Sequence, residues 1–232
     1  MICGEKLCYE TLPRPLACHY CGKSEPAVVY CSAGHYVCED CHGAGYDEFL
    51  AYSVSQATTL DSMALAETLL QGPTLPSLGS EHHAIVPASL LTVLRNKGEI
   101  HLRNGNRRVI STEDVTEGIR RAKQLPSCIC ASHGACGAGL GVGITISILF
   151  DSTCAKDVER TMAMRASNAA LSAIANCGGP GCCKQSVRTA LLVGIELLKE
   201  LGNIMLPVSR RPCFHIQDTS HGCKGAYCQF SH

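Results

Sequence analysis

The distribution of apolar side chains changes near residue 45, and beyond that point it follows the spacing of α-helices. Residues 58–70 carry apolar side chains at helical spacing, and Ser80 and Gly98 bracket a second helical segment with capping residues at both ends. The same pattern predicts further helices over residues 111–124, 154–175 and 182–201. Alternating strand patterns are rare after residue 45, so we expect a mainly α protein.

The expected organisation is a small N-terminal zinc-binding module over residues 1–45, followed by an all-α helical body over residues 46–232. One segment of the body, residues 131–150, contains no Asp, Glu, Lys or Arg and is long enough to cross a bilayer. Its glycines and its concentration of apolar residues in the second half favour a buried core helix instead, so no membrane partner is expected.

Composition restricts the classes of function. The chain has 20 Lys+Arg against 20 Asp+Glu, and 46% of its 232 residues are hydrophobic while 17% are charged. A chain without net charge has no general attraction for nucleic acid or anionic membranes, and this composition is far from that of disordered proteins.

Seventeen cysteines form two groups, seven within residues 1–41 and ten within residues 128–232. The first residues lack the apolar stretch of a signal peptide, and the number of cysteines is odd. We therefore expect a reducing cytoplasmic setting in which thiolates bind metal rather than pair as disulfides. Buried, inert thiols are the alternative for isolated cysteines such as Cys154 and Cys128.

The N-terminal cysteines have the spacing of metal ligands, C-x2-C-x9-C-x3-H-x2-C-x2-C over residues 18–41. Two residues between cysteines allow a tight turn to direct both sulfurs at one ion, and two such turns complete a tetrahedral zinc site. The predicted ligands of this structural site are Cys18, Cys21, Cys38 and Cys41.

Cys31 and His35 lie between the two turns, and Cys3 and Cys8 could complete a second site with them. The run resembles the first six ligands of a RING finger. A RING finger takes its last ligands from downstream, however, and residues 42–127 contain no cysteine, so ubiquitin-ligase activity is not implied.

Cysteines of the body lie where helices are expected to begin. Cys136 precedes a glycine-rich stretch, and Cys182 and Cys183 open a helix beside Lys184. The positive end of a helix and a nearby lysine both favour ionised sulfur, which predicts a metal-binding or reactive role. Close helix packing for the glycines and inert packing for the thiols are the alternatives.

His82 and His83 lie in the first turn of their predicted helix. The helix dipole there opposes a positive charge and favours neutral imidazole, the form that binds metal or accepts a proton. Surface histidines without a function are the alternative.

The C-terminal tail has the spacing C-x9-C-x4-C-x3-H, formed by Cys213, Cys223, Cys228 and His232. This pattern resembles a CCCH zinc finger, a type that typically binds single-stranded RNA. Few basic residues surround it, which disfavours nucleic acid as the partner. Alternatively, the tail cysteines fold back to complete a metal site with the cysteines of the body, and spacing does not decide between the two.

Five motifs together resemble one known family. They are Gly34-His35-Tyr-Val-Cys38-Glu-Asp-Cys41-His42, Glu81-His82-His83, His133-Gly-Ala-Cys136, Gly178-Gly-Pro-Gly-Cys182-Cys183-Lys184 and the Cys223/Cys228 tail. The chain resembles a prokaryotic cysteine-rich family of unknown function, found in anaerobic bacteria and archaea alone or beside S-adenosylmethionine methyltransferase domains. The resemblance implies metal–thiolate chemistry but no substrate.

The leading hypothesis is an oxygen-sensitive metalloenzyme, similar to iron–sulfur lyases or desulfidases, that acts on a small substrate. An iron–sulfur cluster or single metal ion would be bound by Cys136, Cys182, Cys183, Cys223 and Cys228. His82, His83 and Lys184 would transfer protons or anchor the substrate. The alternatives are a zinc-finger module that binds a protein or single-stranded RNA, and a dithiol redox protein that uses Cys182 and Cys183.

Overall fold

The computed structural model describes residues 5–38, 41, 45–72, 74–76, 78–178, 182–209, 212–213 and 223–231. The chain divides into two compact units. The N-terminal unit comprises Met1–Ala57 with Gln71–Leu75, and the helical unit comprises Thr58–Leu70 with Pro76–His232.

The N-terminal unit contains a two-stranded ribbon and a helix. Strand β1 (Leu7–Ala17) pairs antiparallel with β2 (Ser24–Cys31), and most side chains of β1 and half of those of β2 are exposed. Helix α1 (Tyr46–Gln56) provides much of the buried apolar surface, and its Phe49 ring packs edge-to-face on Tyr20 at 4.9 Å between centroids. Because an isolated two-stranded ribbon is at best marginally stable, this unit needs an additional stabilising element.

The helical unit begins with α2 and α3 and ends with two long helices. The bounds of its helices are α2 (Ser62–Leu70), α3 (Glu81–Lys97), α4 (Thr112–Lys123), α5 (Ile129–Ser132), α6 (Gly137–Leu149), α7 (Asp157–Asn176) and α8 (Cys183–Gly202). A short antiparallel hairpin of β3 (Glu99–His101) and β4 (Arg107–Val109) follows α3, and a 3-10 turn spans Gly225–Tyr227.

Helix α3 is the centre of the helical unit. Every residue from His82 to Leu94 is buried, and the helix packs against α2, α4, α6 and α8. Pro87 lies inside it, and Gly98 ends it with a left-handed φ of 79° that a residue with a side chain rarely adopts. The core of this unit is therefore organised around one almost fully buried helix.

A buried ion pair joins α2 to α8. The Arg188 guanidinium donates two hydrogen bonds to the Glu67 carboxylate, at 2.5 and 2.7 Å, and the two side chains are 1% and 5% exposed. Because both side chains are almost completely removed from water, each charge needs the other. Removing one partner would leave the other charge buried without compensation.

The prediction of a small N-terminal module and a mainly α body is confirmed. The apolar segment 131–150 contains the buried helix α6, and no helix in the described part of the chain has the length and apolar character to cross a membrane. The β1–β2 ribbon and the β3–β4 hairpin were not expected. The compact N-terminal unit also includes α1, whereas the predicted boundary follows residue 45.

Candidate metal centre and thiol cavity

The four predicted zinc ligands meet in the N-terminal unit. The sulfurs of Cys18, Cys21, Cys38 and Cys41 all lie within 4.8 Å of one another, and those of Cys21 and Cys38 are 3.6 Å apart. Thiolates bound to tetrahedral zinc at about 2.3 Å lie about 3.8 Å from one another. The group therefore has the dimensions of a site for one metal ion.

Local backbone structure holds the first two ligands in place. Gly22 N–H donates to Cys18 O at 2.9 Å, and Gly22 has a φ of 73°, which favours glycine. Cys18 N–H donates to Lys23 O at 2.8 Å, and Cys38 N–H donates to Cys18 Sγ at 3.4 Å. The short turn after Cys18 thus directs the sulfurs of Cys18 and Cys21 to one side. The backbone N–H of Cys38, which belongs to the second ligand pair, donates to the Cys18 sulfur.

The electrostatics of the group favour a bound cation. Burial raises the pKa of Cys38 to about 11 and also raises the pKa of Cys41 above its ordinary value. Burial opposes ionisation of Cys18 as well, but backbone N–H groups of Cys21, Cys38 and Tyr20 hold its pKa below the ordinary value. Buried thiols this close do not all ionise unless a positive ion compensates them, and a divalent metal provides that charge.

The predicted second zinc site is only partly described. Cys31 Sγ lies 3.2 Å from His35 Nδ1, and the same sulfur accepts His35 N–H at 3.2 Å. The strand register pairs Leu7 with Cys31 and Cys8 with Tyr30, which places Cys8 and Cys31 on opposite faces of the ribbon. Cys3 lies outside the described residues, so this site and the RING-like arrangement stay predictions.

In the helical unit, four cysteines and two histidines line one cavity of about 320 Å³, which we call the thiol cavity. These residues are Cys128, Cys130, Cys136, Cys183, His82 and His83. The beginnings of three helices supply most of them, since Cys136 precedes α6, Cys183 begins α8, and the two histidines lie in the first turn of α3. Residues far apart in sequence therefore converge on one cavity.

The other two cysteines of the thiol cavity come from the short helix α5 and its start. Cys128 precedes α5 with a left-handed φ of 58°, and Cys130 lies within that helix. A residue with a side chain rarely adopts this backbone conformation, and such residues cluster at functional sites. The alternative that Cys128 and Cys154 are buried, inert thiols does not hold, because both are exposed.

His83 is held firmly in the wall of the thiol cavity. It is 8% exposed, and its Nδ1 has no hydrogen-bond partner among the described residues. Its ring lies against Gly137, where an added Cβ would come within 2.2 Å of Cδ2. Burial lowers the pKa of His83, and the charge of Glu81 opposes this shift, so the ring is neutral at neutral pH as predicted, with burial as the main cause.

Cys183 differs from its expected ionisation. Burial raises the pKa of its thiol, while a hydrogen bond from the Gly79 backbone lowers it and the sulfurs of Cys136, Cys130 and Cys182 raise it further. The expectation that the helix start and Lys184 favour an ionised Cys183 is therefore wrong, because burial outweighs them.

Cys182 and Lys184 do not belong to the lining of the thiol cavity in the described structure. Cys182 Sγ instead accepts Gln185 N–H at 3.4 Å and caps α8, and Lys184 is 5% exposed. The catalytic or ligand role predicted for these two residues stays a prediction.

One tail cysteine, Cys213, lies against α8, away from the thiol cavity. Cys213 Sγ is 3.5 Å from Arg188 Nη1, and Gln229 Nε2 donates to Cys177 Sγ at 3.5 Å. Cys223 Sγ accepts Gly225 N–H at 3.3 Å, and neither Cys223 nor Cys228 belongs to the lining of the thiol cavity in the described structure. His232 lies outside the described residues, so a CCCH site in the tail stays a prediction.

Cys128, Cys130 and Glu81 line the thiol cavity although the sequence pattern did not predict them as site residues. The spacing C-x-C-x5-C over residues 128–136 and the position of Glu81 beside the two histidines were the available indications. Neither indication identifies a site on its own, because the sequence does not show that α3, α5, α6 and α8 meet at one cavity.

Comparison with known proteins gives one family assignment. Residues 50–231 match the model described as Family of unknown function (DUF5714), which covers the helical unit and most of α1. No curated protein and no solved structure matches the chain.

Proposed function

Because the chain belongs to DUF5714, a family of unknown function, we propose its role from the geometry: a metal-dependent enzyme that acts on a small substrate in the thiol cavity. The N-terminal cysteine group would hold structural zinc, since a closed four-ligand site leaves no position open for substrate. The observation that carries the proposal is the meeting of four cysteines and two histidines in one cavity of about 320 Å³.

Cys136 and Cys183 would be ligands of the second metal centre, with Cys130 or Cys128 in place of the tail cysteines named by the sequence analysis. In the described structure, only the N-terminal group brings three or more ligand atoms within 4.8 Å of one another. A single ion needs its ligands that close, whereas an iron–sulfur cluster binds cysteines on separate irons and tolerates wider spacing. Because the cysteines of the thiol cavity do not form such a close group, the proposed second centre is a cluster rather than a single ion.

A cluster with one iron not bound by cysteine supplies a Lewis acid when it is present. The chain's own residues provide the remaining functions. His83 is neutral and buried, which suits it to accept a proton from a substrate, and Glu81 adds a carboxylate in the same wall. The reaction class that fits is removal of water or sulfide from a small substrate, as in the lyases and desulfidases.

Metal analysis of protein purified without oxygen tests the proposal. The wild-type chain is expected to contain zinc together with iron and acid-labile sulfide, and to absorb visible light. Cys136→Ala combined with Cys183→Ala should remove the iron and the colour while zinc remains. Cys154→Ala is the matched control, because Cys154 is exposed and is not among the residues described as lining the cavity.

A colourless wild-type protein that holds only zinc after reconstitution with iron and sulfide would exclude a cluster. If the Cys136/Cys183 double variant kept the same iron content as the wild type, the cluster would lie elsewhere and the proposed site would be wrong.

A further inference from the structure

One side of the thiol cavity is formed by a short segment at the protein surface, residues 127–134, which we call the flap. Its residues Ser127, Cys128 and Cys130 line the cavity, and all three are also exposed to solvent. A residue that lines a cavity and faces solvent at the same time belongs to the outer wall of that cavity. The flap therefore separates the cavity from solvent, while α3, α6 and α8 supply much of the remaining lining.

Packing holds the flap only weakly. The flap contains α5, which has no buried residue, and among the described α-helices of the helical unit α5 alone lacks an extensive contact with another helix or strand. Ile129 is half-buried, and the other residues of the flap are exposed. A segment with few buried apolar contacts and solvent-exposed backbone hydrogen bonds opens at a small cost in free energy.

The hydrogen bonds of the flap are almost all internal. The backbone N–H groups of residues 131–133 donate to the carbonyl oxygens of Cys128 and Ile129 at 2.9–3.0 Å. Within the part of the chain that the structure describes, a single hydrogen bond joins the flap to another segment, from Ser127 Oγ to Ser80 Oγ at 3.2 Å. One bond between two uncharged hydroxyl groups contributes little to stability, so the flap can detach without loss of other hydrogen bonds.

Residues in the left-handed conformation lie near both ends of the flap. Cys128 has a φ of 58° and Gly134 has a φ of 66°. On either side the chain continues into α4 and α6, two helices that pack against each other. A weakly packed segment between fixed helices, with unusual backbone angles at its two ends, has the construction of a hinged lid.

We infer that the flap is a lid of the thiol cavity, which opens to admit a small molecule and closes to place Cys128 and Cys130 in the wall. The inference rests on the proposed function only in treating this cavity as the site, and it applies to any ligand that the cavity binds. Closure would exclude water from a bound ligand, and opening would expose the cavity-lining Cys183 on α8.

Gly134→Ala tests the lid without changing the lining of the cavity. An added Cβ at Gly134 meets no atom within 4 Å, so the substitution penalises only the left-handed backbone of the closed flap. The open fraction should rise about fivefold or more, as expected when a side chain is forced into this conformation. Gly105→Ala is the matched control, because Gly105 has a φ of 85° and equal free space but lies in the turn between β3 and β4.

The rate at which N-ethylmaleimide alkylates Cys183 measures access to the cavity. The rate is followed by peptide mass spectrometry on the full chain purified without oxygen, and the exposed Cys154 is the internal reference. Gly134→Ala should raise the Cys183 rate about fivefold while the Cys154 rate is unchanged, and Gly105→Ala should match the wild type at both cysteines.

Ser127→Ala removes the hydrogen bond to Ser80 and should also raise the Cys183 rate, by about threefold to fivefold. Equal Cys183 rates in the wild type, Gly134→Ala and Ser127→Ala, each verified as folded by circular dichroism, would overturn the inference.

The iron content of the same samples separates this inference from the proposed function. Where iron is present, its rate of removal by the bulky chelator bathophenanthroline disulfonate replaces alkylation as the measure, and the same order of variants is expected. If iron is held but all variants release it at one rate, the metal centre stands and the lid is wrong. If iron is absent but both flap variants expose Cys183, the lid stands and the metalloenzyme proposal fails.

Discussion

Gly137→Ala is the substitution that tests the wall of the thiol cavity most sharply. An added Cβ at Gly137 would lie 2.2, 2.3 and 2.6 Å from Cδ2, Cγ and Nε2 of His83, and real Cβ atoms do not approach other atoms so closely. Because His83 is 8% exposed and surrounded by protein, its ring has little space in which to turn away. The substitution must therefore displace the imidazole or the start of α6.

Overpacking of a core site destabilises a protein by about 1–3 kcal/mol. Replacing glycine by alanine in a helix recovers about 0.5–1 kcal/mol, and less at the first residue of a helix, where Gly137 lies. The net expectation is a loss of about 1–2 kcal/mol in the free energy of unfolding of the helical unit.

Gly194→Ala is the matched control. It lies inside α8, and its added Cβ would meet Leu90 Cδ1 at 2.8 Å, which is the movable end of a flexible side chain. Helix propensity and this mild contact offset each other, so its unfolding free energy should stay within about 0.5 kcal/mol of the wild type.

Urea unfolding followed by circular dichroism measures both variants, and metal analysis follows the second centre. Gly137→Ala should unfold at lower urea concentration than Gly194→Ala and hold less iron while retaining zinc. If the two variants unfold at the same urea concentration and hold the same iron, His83 does not pack against Gly137, and the geometry proposed for the cavity is incorrect.

Three further predictions concern other parts of the molecule. Glu67→Ala should destabilise the helical unit by about 3–5 kcal/mol, because it leaves Arg188 charged and unpaired in the core; a combined Glu67→Leu/Arg188→Met variant should recover most of this loss in urea unfolding, and no recovery would contradict the argument. Cys38→Ala should remove zinc and expose residues 18–41 to proteolysis, whereas retained zinc and unchanged cleavage would exclude the four-cysteine site. Hydrogen bonds from Arg120 and Arg121 lower the pKa of Glu117 to about 2, so its contribution to stability is complete above the unfolded pKa of about 4.3 and is lost as pH falls toward 2. The urea midpoint of Glu117→Gln should therefore change less than that of the wild type between pH 5 and pH 2, and identical pH profiles would contradict the assignment.

The N-terminal metal ligands could be predicted because their chemistry is encoded locally. Two residues between Cys18 and Cys21, and again between Cys38 and Cys41, set the geometry of each ligand pair whatever the rest of the fold does. The helices were likewise visible in the spacing of apolar residues and in caps such as Ser111, whose capping box with Asp114 is present.

The thiol cavity could be predicted only in part, because it depends on where separate helices begin in space. Cys136, Cys183 and the two adjacent histidines, which the sequence pattern assigned to one site, line the same cavity, and the roles assigned to them stay predictions. The sequence pattern omitted Cys128 and Cys130, since α5 is too short to give a periodic pattern. The error about Cys183 has a physical cause: a helix start favours a thiolate locally, but burial is a property of the packed structure and its effect on the pKa is larger.

X-ray absorption spectroscopy at the zinc and iron edges tests the central claim most directly, because it identifies each metal and the atoms bound to it. For the wild-type chain purified without oxygen, the account predicts zinc bound by four sulfurs at about 2.3 Å and a separate iron signal with sulfur ligands. The Cys136→Ala/Cys183→Ala variant should lose the iron signal and keep the zinc spectrum unchanged. Four-sulfur zinc as the sole metal in both proteins, even after reconstitution with iron and sulfide, would contradict the claim that the thiol cavity is a metal centre.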